Sequence, residues 1–362
     1  MVFKRTAFAA ILVLACVSIG SPRRALAQVT GLIEFREGGR IRQGLPLVSL
    51  AREMIVIGTD GWLHSIDPTE PNTQIRQLGQ SYEPISVPLF RNQLQAEFGK
   101  GYEVVSTSNF LIVQPRGRGN RWPHLFEQSH RGFISYMSKR GVRTRKGRFP
   151  MVAIVFPDEV AMYTEFKKVG IDMSRVAGVY SILSNRVMTH DGRHSSIIAA
   201  TVRHEAAHQS AFNSGVHSRV NDTPRWITEG IGQLFEPEAM TVTQTAGRRA
   251  ERVNVDSLRE LNQQGLANED GLLATKIHCL VGSDEMFEDV KQVNQAYAVS
   301  WAVMFYLAER QPQQFAAILN HTASRPPLEN YDRDQRIEDF ERVVGMDVHD
   351  FGNRVTRFLR SL

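Results

Sequence analysis

The 362-residue sequence predicts an α+β protein: a small β-module, then a small mixed sheet packed on a long motif-bearing helix, then a helical C-terminal lobe. Three observations carry this. Between residues 28 and 70, apolar and polar residues alternate with the period of a strand, and Gly38–Gly39, Gly44 and Asp60–Gly61 mark turns. Between Val87 and Lys168, helical and strand patterns alternate, the order expected of a sheet covered by helices. Beyond Glu236 the periodicity is helical.

The elements follow in order. Residues 1–27 read as a secretory signal peptide: Lys4 and Arg5 open it, Ala7–Ile19 is an apolar run short for a membrane span, and Ala25-Leu26-Ala27 is a small-x-small cleavage site. The mature chain would begin at Gln28 and be exported to the periplasm or the medium. A rival reading takes Val13-Leu14-Ala15-Cys16 as a lipoprotein signal, although Leu14 fits it poorly. Cleavage after Ala27 leaves Cys279 as the single cysteine, so the core must hold the fold without an internal disulfide. It also removes four basic residues and no acidic one. The formal charge of +5 then falls to +1, 39 basic against 38 acidic residues, which argues against nucleic acid as a partner.

In the module, residues 28–70, strands are expected at Leu32–Phe35, Leu47–Leu50, Met54–Ile57 and Trp62–Ile66, as in a partly open SH3-like barrel. The polar, proline-bearing stretch 71–83 reads as a linker to a main domain over 84–362. There a helix is expected at Val87–Phe98, a hairpin from Glu103–Ser106 to Phe110–Gln114, a helix at Trp122–Lys139, a buried strand at Met151–Phe156 and a helix at Glu159–Lys168. Six of the ten residues in Lys139–Arg148 are basic, which reads as a solvated loop, with contact to an anionic envelope polymer as the alternative. Further helices are expected at Ser195–Asn213, Val255–Gln264, Ala296–Arg310, Pro312–Thr322, Arg336–Gly345 and Val348–Leu359.

The stretch that carries chemistry is Val202–Glu229. His204, Glu205 and His208 form an H-E-x-x-H motif within the helix that Gly215 should end. Residues four apart share a helix face, so both imidazoles can reach one metal ion, half of a tetrahedral zinc site. Glu205 then stands beside the metal, where a general base belongs. Glu229 follows His208 with twenty residues between, on a short helix that Thr223 can cap and Pro224 can begin. Gly230, lacking a side chain, would let that helix approach the first and bring Glu229 in as third ligand. His217, His278, His321 and His349 read as surface or capping residues, with His217 worth watching for its nearness to the site.

H-E-x-x-H followed by Trp226-Ile227-Thr228-Glu229-Gly230 resembles the gluzincins, the thermolysin-like zinc metallopeptidases. Among them the chain is most similar to secreted bacterial proteins of domain-of-unknown-function family 1570, from about Pro84 to the C-terminus. The resemblance implies a zincin-like domain in which Gly178–Thr189 is an edge strand beside the motif helix. It implies zinc on His204, His208 and Glu229, with Glu205 as base. One position departs: thermolysin-like enzymes often carry an acidic residue one turn after the distal glutamate, and here Gln233 stands there. Glu236, Asn213 and Asp222 are the alternatives for orienting a ligand histidine. Tyr297 heads an apolar helix, Tyr297–Leu307, that resembles the family's tyrosine-led helix. It is either a donor to a developing oxyanion or one more core aromatic. The expectation is an exported, monomeric zinc peptidase acting on a protein or peptide substrate, with cell-envelope contact as an option. The alternative is a non-catalytic envelope-binding protein on the same scaffold.

Overall fold

The computed structural model describes residues 31–168, 176–192, 195–241, 249–269 and 271–362. The expected signal segment, including Cys16 and the Ala25–Ala27 pattern, lies outside the described residues. The fold is α+β with two five-stranded sheets.

The first sheet contains β1 (Ile33–Glu37), β2 (Arg40–Ser49), β3 (Met54–Gly58), β4 (Leu63–Ile66) and β5 (Arg76–Gln77), ordered β4-β3-β2-β1-β5 with every pair antiparallel. Gly38 and Gly39 make the β1–β2 turn in left-handed conformations, with φ of 55° and 77°. The sequence departs from expectation at two places. β2 begins at Arg40 and runs through Gly44, which is not a break: a Cβ there would lie 2.5 Å from the Ile57 carbonyl oxygen, so Gly44 lets two strands approach. The expected linker contains β5, which pairs with β1, and the Leu78 N–H donates to the Leu32 carbonyl oxygen. That stretch is tied to the sheet.

The second sheet is covered on both faces. Its chain order is α1 (Val87–Phe98), β6 (Tyr102–Ser106), β7 (Phe110–Pro115), α2 (Arg121–Lys139), β8 (Met151–Phe156), α3 (Glu159–Lys168), β9 (Gly178–Ser181), β10 (Arg186–His190) and α4 (Ser195–Ser214). The strands run β6-β7-β8-β10-β9, with β8 parallel to both its neighbours and the outer pairs antiparallel. All six residues of β8 are buried, as befits a central strand between two helical layers. Phe90 and Leu94 of α1 with Met162 and Phe166 of α3 cover one face. Trp122 and Phe126 of α2 with Ile198, Val202 and Ala206 of α4 cover the other. The single edge strand expected over Gly178–Thr189 is instead the hairpin β9–β10. Asn185, at φ 58°, turns the chain, and short polar Asn tolerates that conformation.

The C-terminal half is helical: α5 (Arg225–Phe235), α6 (Val255–Gln263), α7 (Leu272–Gly282), α8 (Glu285–Glu288), α9 (Val293–Arg310), α10 (Pro312–Ala323), α11 (Arg333–Val344) and α12 (Val348–Leu359). The α7 segment is apolar without a narrow stripe, so the expected amphipathic pattern does not mark it. α9 begins one turn before Tyr297 and is buried on every side from Ala296 to Ala308, so the tyrosine does not open it. Cys279 is half-buried against this core. Among the described residues, no helix is long and apolar enough to cross a membrane.

The module packs on the larger domain beside the motif region. The Leu63 N–H donates to the Leu183 carbonyl oxygen in the β9–β10 turn, and Val48, Ile55, Ile57 and Leu63 share a cluster with Phe149.

Candidate metal centre

α4 is amphipathic only at its start; from His204 to Phe212 every residue is buried. It is a central helix, wedged between the sheet and α5, and this removes the motif from bulk water. α5 packs on it with all eleven positions except Arg225 buried. Its start differs from expectation. Pro224 is the N-cap residue and helical geometry begins at Arg225, while the Thr223 hydroxyl makes no capping bond.

The glycine that admits α4 is also different. A Cβ on Gly230 would meet Met304 Cγ at 2.5 Å and the Ser300 carbonyl oxygen at 2.8 Å, so Gly230 serves the α5–α9 contact. A Cβ on Gly232 would lie 2.4 Å from His204 Cε1 and Nε2. Gly232 is the position that lets the His204 ring lie against α5, and Gly230-x-Gly232 inside a helical pattern was a signal for close packing on two sides.

Three expected ligands meet at this junction. One ligand atom each from His204, His208 and Glu229 lies within 4.8 Å of the other two, and all three residues are buried. Glu229 Oε2 is 3.3 Å from His204 Nε2 and 3.6 Å from His208 Nε2. Neither ring nitrogen of His208, nor Glu229 Oε1, has a hydrogen-bond partner. Buried polar atoms are rarely left in this state. A dication between them would satisfy His208 Nε2 and the Glu229 carboxylate, leaving His208 Nδ1 on the other side of its ring, and two imidazoles with one carboxylate suit zinc.

His204 is oriented by Glu236, the alternative that the sequence could not single out. Their Nδ1 and Oε1 atoms are 3.0 Å apart. Gln233 Nε2–H and Asn254 Nδ2–H also donate to the Glu236 carboxylate, at 2.8 and 2.9 Å. A carboxylate receiving these bonds accepts from Nδ1–H of His204, which turns Nε2 towards Glu229. Gln233, at the departing position, therefore steadies the acidic group instead of replacing it. Asn213 bonds Asn185 and Asp222 faces Arg336, so neither touches a ligand histidine. Asn254, on the far side of a long connection, had no signal in the sequence.

Burial acts on every charge here. It opposes protonation of His204, but the bonds to Glu229 and Glu236 outweigh it and hold the imidazole well above its ordinary pKa. Burial would raise Glu229; the two histidines reverse this and hold it well below the usual carboxylate range. With a metal ion present, the ion takes the place of those protons.

Glu205 is 2% exposed and turned towards the edge of the sheet, where the Tyr180 N–H of β9 donates to its Oε2 at 2.7 Å. Burial raises its pKa against the pull of His204 and His208. A Cβ on Gly178 would sit 2.8 Å from Thr201 Cγ2 and 3.3 Å from Glu205 Cγ, so this glycine brings β9 onto the motif helix. Tyr297 is buried beside the site, its ring centroid 6.5 Å from that of His204 and 5.5 Å from that of Phe287. His217 is not a surface residue: it is 1% exposed, and burial lowers its pKa to about 3. The other three expected surface histidines stay away from the site; His278 stacks on His349, and His321 bonds Asp339.

Residues 198–329 match the sequence profile of a family described as "Protein of unknown function (DUF1570)". The matched segment takes in the motif within α4, and all of α5 and α9, and supports a DUF1570-like assignment for this part of the chain. No curated protein matches the chain.

Proposed function

We propose that the protein is an exported zinc-dependent peptidase of the thermolysin-like kind, with a zincin-like domain over residues 84–362 behind the β-module. The observation that carries this reading is the buried meeting of His204, His208 and Glu229 with Glu205 beside them. Zinc held by those three residues would supply Lewis acidity to a carbonyl and make water more acidic.

The chain's own residues supply the rest. Glu205 has the position and the chemistry of a general base: it takes a proton from water and passes it to the departing amine. The Tyr180 N–H fixes the Glu205 carboxylate, so its direction does not depend on solvent. β9 is the edge of its sheet and lies against Glu205, a place where an extended peptide can align by strand addition. A binding protein needs no carboxylate buried beside its metal ligands, which sets the scaffold reading second. The amino-terminal pattern of residues 1–27 supports export.

Metal analysis and a peptide-library digest test the proposal together. Purified protein should carry about one zinc per chain. Glu205→Gln should keep the zinc and lose hydrolysis, whereas His208→Ala should lose both. Full hydrolysis by Glu205→Gln sinks the mechanism.

A further inference from the structure

At the C-terminal end of α4 lies a cavity of about 360 Å³, lined by Arg143, Arg145, Ser214, His217, Ser218 and Asn320 among others. Among the described residues, no acidic one lines it. Arg143 and Arg145 are exposed, and neither guanidinium has a carboxylate partner among the described residues. His217 is 1% exposed, and neither of its ring nitrogens has a hydrogen-bond partner. Two unneutralised cations, an imidazole without partners, the Thr144 hydroxyl and the Asn320 amide are a donor set suited to an oxyanion, while the Ser214 and Ser218 hydroxyls already donate to the Ala211 carbonyl oxygen and to Asn221 Oδ1.

The wall is held in place. The Arg145 N–H donates to the Ser214 carbonyl oxygen at 2.9 Å, pinning the basic loop to the helix end. Gly215, at φ 81°, ends the helix, and a Cβ on it would lie 2.8 Å from Arg145 Nε, so the guanidinium rests on the glycine. The negative end of the helix dipole favours the guanidinium there and opposes an anion, so the affinity for an oxyanion has to come from the two arginines. The His217 ring leans on Phe212, with centroids 5.2 Å apart.

Position relative to the metal centre gives the cavity a use. Ser214 follows His208 by six residues, about 9 Å of helical rise. That is roughly the length of two to three residues of extended chain. We propose that the cavity is an oxyanion subsite that takes a carboxylate of a bound peptide, two to three residues from the bond cleaved. The placement on a peptide rests on the hydrolytic reading above; the affinity for an oxyanion does not.

Calorimetric titration of the whole protein at low salt separates the two parts. The probes are succinate, its neutral analogue succinamide, and inorganic phosphate. Succinate should bind once per chain and succinamide should not. Arg143→Gln with Arg145→Gln should weaken succinate at least tenfold, and so should His217→Phe, which keeps a ring in the cavity wall. Equal binding of succinate and succinamide, or an unchanged affinity in the arginine pair variant, overturns the subsite. Phosphate binding at least tenfold tighter than succinate assigns the oxyanion to free phosphate and overturns the peptide part. In a library digest, Asp or Glu should be enriched two to three positions from the cut by the parent and not by the arginine pair variant. Cleavage without that enrichment overturns the peptide part and leaves the hydrolytic reading standing. Absence of cleavage overturns the hydrolytic reading and the peptide part, while the titration still decides the subsite.

Discussion

His208 and Glu229 hold three buried polar atoms without partners where α4 meets α5. Each such atom costs about 1–3 kcal/mol when left unbonded. Two of them, His208 Nε2 and Glu229 Oε1, belong to groups that face each other, a poor arrangement for stability and a good one for holding a cation, which is why the ligand reading outweighs a structural one. His204 differs from His208 because its other nitrogen is engaged by Glu236. Glu236→Gln should therefore weaken zinc binding by roughly ten- to a hundredfold while leaving all three ligands in place. Competition with a chelator of known affinity measures this; an unchanged affinity would show that Glu236 is structural. Tyr297 is the second residue whose role can be separated by one atom. Its ring lies against His204 and Phe287 in either role. As a donor to a developing oxyanion, Tyr297→Phe should lower kcat by roughly ten- to a thousandfold with zinc content and KM nearly constant. Parent turnover in the Phe variant would leave Tyr297 a core aromatic.

Two glycines in α5 show how an element can be legible while its neighbours are not. The spacing of His204 and His208 sets their common face within one helix, so the sequence suffices for it. That α5 must come close to something is equally plain from Gly230 and Gly232. Which helix each glycine faces depends on how α5 is rotated between α4 and α9, and no local pattern reports a rotation. The same limit hid Glu236 among three candidates, because Asn254, the cap of α6, holds it only after α6 has packed. The two glycines should answer to different measurements. In Gly232→Ala the methyl would overlap the His204 ring at 2.4 Å, so zinc affinity should fall well before the fold does. In Gly230→Ala the methyl meets the Ser300 backbone oxygen at 2.8 Å and should cost about 1–3 kcal/mol of stability. Zinc titration and denaturant unfolding of both variants check the assignment; the reverse pattern would refute it.

Across the whole molecule, the regular elements were readable where their pattern was local. β8, α1, α3 and α12 stand at their expected bounds. What escaped was set by distant parts of the chain: two-residue β5, exposed and polar, is a strand only because β1 lies beside it. The tie between the module and the metal centre is of that kind, and it runs through Arg219 in the α4–α5 connection. Its guanidinium donates to the Gly61 carbonyl oxygen of the module through Nη1, at 2.8 Å. It also donates to the Ile182 and Leu183 carbonyl oxygens in the β9–β10 turn, from Nε at 2.8 Å and Nη2 at 3.0 Å. One side chain thus joins the module, the turn behind the edge strand and the loop that carries α5 to α4. Among the described residues no carboxylate hydrogen-bonds it, so its bonds go to backbone oxygens, with Asp60 near enough to favour its charge. Hydrogen bonds from a charged donor contribute about 1.5–3 kcal/mol each, and their loss leaves acceptors without partners. Arg219→Gln should therefore cost about 2–4 kcal/mol and loosen the module from the edge strand and Glu205. Amide exchange reads the location: protection should fall at Leu63, whose N–H bonds the same turn, and at Tyr180, whose N–H bonds Glu205. Lost protection confined to the module, with Tyr180 as protected as in the parent, would show that the module packs on the larger domain without steadying the candidate site.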